Sequence, residues 1–155
     1  MEDAEKIAFK NRLKECCIQS MEERIAGVKA SIKNAQEAAN SEEKSSAGDK
    51  YETGRAMGHL QKDMHARQLA EYLKEKAILL SVNVASIYYQ AVAGAFVETE
   101  QVSFFIAAGL GKQTIDGQSI FFISPYAPLA IMLQNKTKGD LFLFNKTGLV
   151  ITDLF

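Results

Sequence analysis

The chain has 155 residues, 47% hydrophobic and 24% charged, with a formal net charge of −1. That balance is ordinary for a folded soluble protein and gives no basic footprint for independent DNA or RNA binding. The charge is unevenly spread: residues 1–80 carry 14 Lys/Arg and 14 Asp/Glu, whereas residues 81–155 carry 4 and 5.

The division suggests a charged helical element, 1–80, joined to a compact body, 81–155. The opening Met1-Glu2-Asp3-Ala4-Glu5-Lys6 is charged and has no apolar core of a signal peptide. No apolar run approaches the ~20 residues that span a bilayer, so no membrane association is expected. Cys16 and Cys17 are adjacent. Neighbouring Cα atoms lie ~3.8 Å apart, too close for ordinary disulfide geometry, so both read as reduced thiols, in keeping with a cytoplasmic protein.

From Ala4 to about Ala39 the chain is patterned as one long helix. Leu13, Cys17, Met21, Ile25, Val28, Ile32, Ala35 and Ala39 recur at steps of three and four and form a single stripe close to a coiled-coil seam. At 1.5 Å per residue such a helix would be roughly 50–60 Å long, more than a body of this size could surround. A second helix is predicted from Thr53 to about Leu80, with Met57, Leu60, Met64, Ala66, Leu69, Leu73, Ala77 and Leu80 as its seam. Two helices joined by a short polar break fold back as an antiparallel hairpin, which makes residues 45–54 its tip.

After Ser81 the pattern turns β-rich. Val84–Tyr89, Ala95–Val97, Val102–Ile106, Ser119–Ile123, Leu141–Phe144 and Leu149–Thr152 read as strands. Asp116-Gly117 is a two-residue hairpin signal, and Asn145-Lys146-Thr147-Gly148 is a further turn. Leu129–Leu133, after Pro125 and Pro128, is short enough for one or two helical turns. The expected fold class is therefore α+β: a coiled-coil hairpin followed by a small, mostly antiparallel sheet carrying one helix.

Few constellations carry chemistry. Gly109-Leu110-Gly111-Lys112 fails as a phosphate loop, because a Walker motif needs glycine where Ile106 stands. His59 and His65 are six apart on a helix, on different faces, and nothing completes a metal pattern around them. Ser45, Ser46 and Ser124 have no His/Asp partners for a hydrolase triad. Phe104, Phe105, Phe121, Phe122, Phe142 and Phe144 read as core. No enzyme is expected. Asp49-x-x-Glu52 remains. An acid at a helix start with Glu three residues later is a capping box, and the helix dipole favours both. If Ser46 caps instead, Asp49 and Glu52 share one helix face, where two carboxylates can hold part of a magnesium coordination shell.

With the hairpin, the Gly48-Asp49-x-x-Glu52 tip and the segment Ala127-Pro128-Leu129-Ala130…Asn135-Lys136-Thr137-Lys138-Gly139-Asp140, the chain resembles the Gre transcript-cleavage factors of bacterial RNA polymerase. It departs from their pattern at Ala127, Asn135 and Arg55-Ala56, and is nearer a divergent Gre-like subgroup. The resemblance implies an FKBP-like domain at 81–155 that docks on the polymerase while the hairpin enters its secondary channel. It further implies that Asp49 and Glu52 complete a second Mg²⁺ site shared with the polymerase, and that Ser45, Ser46, Lys50, Tyr51 and Arg55 meet the channel. The factor is then a monomer that stably binds no cofactor of its own and meets nucleic acid only through the transcription complex. A channel occupant that does not promote cleavage, a coiled-coil chaperone or scaffold, and a prolyl isomerase are the rival readings.

Overall fold

The computed structural model describes residues 1–43 and 48–155, with side-chain detail for all of these except 42, 43, 48–52 and 55. The element order is α1 (Asp3–Glu43), α2 (Gly48–Ser81), β1 (Phe96–Glu98), β2 (Ser103–Ile106), β3 (Gly111–Ile115), β4 (Gln118–Ile123), α3 (Pro128–Leu133), β5 (Leu141–Phe144), β6 (Thr147–Val150) and β7 (Asp153–Leu154). The class is α+β. Two compact units are formed: Met1–Ser20 together with Lys76–Phe155, and Met21–Glu75.

In the helical unit, α1 follows the periodicity of its sequence. Met21, Ile25, Val28, Ala35 and Ala39 are buried, and Ile32 is half-buried. The helices run antiparallel, with Lys62 Nζ donating to Gln36 Oε1 at 2.8 Å and Gly58 packed against Ala39. On α2 the expected seam is wrong. Met57, Leu60, Met64 and Leu73 are exposed (54%, 53%, 58% and 47%), whereas Gly54, Gly58, His65, Leu69 and Tyr72 are half-buried. Of the expected seam residues within this unit, only Leu69 keeps its place.

The reason is steric. Each residue turns a helix by ~100°, so a seam displaced by one residue selects a different face. A Cβ built on Gly58 would stand 3.3 Å from the Ala39 Cβ. Two small residues allow the backbones a close approach that methionine at the same place would prevent. A reading weighted by hydropathy passes over the glycines that define this contact.

In the other unit five strands form one sheet in the order β3-β4-β2-β1-β7, and β5-β6 form a separate pair. β2 and β4 are parallel, and the other three pairings of the large sheet are antiparallel. Because successive side chains in a strand face opposite sides, each Phe-Phe doublet supplies one ring to each face. Phe96, Phe105 and Phe122 lie in cross-strand register, as do Val97, Phe104 and Phe121. The second set packs with Leu133 of α3 and with Phe142 and Leu149 of the β5-β6 pair. On the first set's side, Phe9 of α1 meets Phe96 edge-on at 5.0 Å, and Phe96 meets Phe155 at 5.2 Å. All four residues of β2 are buried, as expected for a strand covered on both faces.

Both hairpin signals form turns with two left-handed residues. Asp116 and Gly117 have φ of 50° and 76° between β3 and β4. Asn145 and Lys146 have φ of 50° and 64° between β5 and β6. Positive φ at both central positions is the signature of the turn whose twist matches the strands it joins. Val84–Tyr89, by contrast, is not a strand. Its polar groups are used locally: Asn83 Oδ1 accepts from Ala85 N, Asn83 Nδ2 donates to Ser86 Oγ, and Tyr88 Oη donates to Asn83 O. An Asn side chain bonding its own neighbourhood competes with ladder formation, and it wins here. Gly94, at φ 93°, closes the segment where a Cβ would collide with the Asn83 carbonyl.

Gly58→Leu should force the helices apart and cost about 1–3 kcal/mol. Met64→Ser, on the open face, should change stability by less than about 0.5 kcal/mol. Urea denaturation of both variants checks the seam, and equal losses would contradict it.

Candidate functional site

Helix α2 is helical from Gly48, which places Asp49 and Glu52 inside it rather than before it. Three apart on a helix, the two positions share a face. Lys50, Tyr51 and Arg55 are in the same opening turns. The side chains of these five residues, and Ser45 and Ser46 entirely, lie outside the described residues. Among the described residues no group of three or more His, Cys, Asp or Glu side chains is placed to hold a metal ion.

The structure reveals a cluster that sequence reasoning missed. Lys10 of α1 is fully buried, and its ammonium donates to the Ser86 carbonyl. It also lies 4.7 Å from the centre of the Tyr88 ring and 5.9 Å from that of Phe155. One turn along, Lys14 Nζ donates to Leu80 O at 3.2 Å and to Val82 O at 2.7 Å. A cation there satisfies a carbonyl in the last turn of α2 and complements the negative end of its dipole. The signal was present: Lys10 stands three residues before Leu13, in phase with the apolar stripe. A lysine in that phase is either misplaced or bonded, and here it is bonded.

Burial lowers the Lys10 pKa from 10.5 to about 8. The same stripe contains Cys17, whose thiol is pushed up to about 12 by burial, with Cys16 adding to the effect. At the sheet edge, Glu98 and Asp153 are direct cross-strand partners, and Lys6 Nζ lies 3.6 Å from Asp153 Oδ2. Burial raises the Glu98 pKa, Asp153 raises it further, and Lys6 and the N-terminal amine oppose the rise. Like charges directly opposite in a ladder repel, and Lys6 offsets that repulsion. No local pattern could announce this pair, because its members are 55 positions apart.

A cavity of about 320 Å³ opens beside α3, lined by Ala91, Val92, Ile106, Pro125, Ala130 and Ile131 among others. Tyr126 and Gln134 add polar groups to an otherwise apolar wall. Tyr126 and Ile131 are also largely exposed, so the opening has an apolar rim. Such a pocket suits one aliphatic or aromatic side chain better than a charged ligand. No described helix is long and apolar enough to cross a membrane. Comparison with family models, with curated proteins and with solved structures finds no match.

Two outcomes test the buried cluster. In the unfolded chain the Lys10 amine titrates near its ordinary value, so between about pH 8 and 10.5 it holds a proton that the folded state has released. Lys10 therefore contributes a burial cost below pH 8 that is relieved as pH rises to 10.5. Wild type should gain stability relative to Lys10→Met over that window, by about 2 kcal/mol; parallel pH profiles would contradict the burial of the charge. Separately, thiol titration of the folded protein at pH 8 should detect at most the half-buried Cys16, and both thiols after denaturation.

Proposed function

We propose that this protein is a Gre-type factor that binds bacterial RNA polymerase and delivers two carboxylates to the polymerase's own active centre. In this reading its sheet-bearing domain is FKBP-like and docks on the outside of the enzyme. The α1–α2 hairpin enters the secondary channel, and Asp49 and Glu52 complete a second Mg²⁺ site shared with the polymerase. The observation that carries the reading is the onset of α2 at Gly48, directly after the connection between antiparallel helices. In that register both acids fall on one face at the turning end of the hairpin.

The chemistry belongs to the partner. In two-metal phosphodiester hydrolysis one ion polarises the scissile phosphate, and the other lowers the pKa of the attacking water and orients it. Magnesium accepts one or two carboxylates while keeping waters and substrate oxygens, so a weak site on this chain becomes effective only when the polymerase supplies the remaining ligands. The protein itself is not an enzyme. Ser45, Ser46, Lys50, Tyr51 and Arg55 then meet the channel wall, nucleic acid is met only through the transcription complex, and the site of action is cytoplasmic. The apolar cavity beside α3 is suited to gripping a projecting side chain of the polymerase surface.

One observation favours a second reading. The exposed Met57, Leu60 and Met64 on α2 form an apolar face of the sort a coiled-coil chaperone would present to its clients. The tip acids have no role in that case.

Stalled, backtracked transcription complexes distinguish the two. Wild type should shorten the transcript in a Mg²⁺-dependent manner, whereas Asp49→Asn and Glu52→Gln should each slow cleavage at least 100-fold with polymerase affinity nearly unchanged. Cleavage unaffected by either substitution would leave the acids as stabilisers of the helix start through its dipole. Binding without cleavage by wild type would leave a channel occupant that regulates by obstruction.

A further inference from the structure

We draw no further inference here: the strongest candidate, the outward face of the β5-β6 hairpin where Leu141, Leu143 and Val150 stand exposed, is an unpartnered apolar surface and nothing in the structure shows what covers it.

Discussion

The packing of Phe9 against Phe96 and Phe155 is the contact on which the sheet-bearing unit depends. It makes the opening turns of a helix part of a β-sheet's core. Burial of one phenylalanine side chain is worth about 2–3 kcal/mol, and each well-placed ring pair adds about 0.5–1.5 kcal/mol. Around this anchor Lys10 and Lys14 bind carbonyls of the segment leaving α2, so the same stretch of α1 holds both the sheet and the chain that leads into it. The polar bonds are local consequences of the apolar seat.

The sheet then follows from two phenylalanine doublets and from what covers each face. Phe105 and Phe122 meet edge-on at 6.0 Å on one side, and Phe104 contacts Phe121, Phe142 and Phe144 on the other. The second face needs α3 and the β5-β6 pair as a lid. That requirement explains why the chain leaves the sheet after β4 and returns for a short terminal pairing of β7 with β1. The cavity beside α3 arises where a six-residue helix and the loop around Ala91–Ala93 meet above the small side chains of Ala91 and Ala130.

Much of this was legible in the sequence, for identifiable reasons. The α1 stripe reflects one helix with one buried face, and every predicted member is buried or half-buried. Asp116-Gly117 and Asn145-Lys146 form the expected turns: Asp, Gly and Asn tolerate left-handed backbone, and Lys146 adopts it as the second central residue of its turn. The α2 seam was misread, because it is built from Gly54 and Gly58 as much as from larger side chains. Val84–Tyr89 has β-prone composition, yet Asn83 and Lys10 take up its polar groups, and Lys10 acts from 76 positions away. The Glu98–Asp153 pair is likewise a product of topology. Local chemistry predicts local structure, and long-range partners decide the exceptions.

For the site, the legible part is a spacing. Two acids three apart, after a run of small and polar residues and inside the start of α2, suit the positive end of the helix dipole and are also suited to sharing a hard cation. What separates these roles is where the acids act, so the most direct measurement is proximity. A photo-crosslinker at position 51, activated in a complex with purified bacterial RNA polymerase, should form its adduct with the catalytic subunit near the bound magnesium. Unmodified protein should compete this adduct away. An adduct only on the enzyme's outer surface, or none at concentrations where the two proteins bind, would contradict the account.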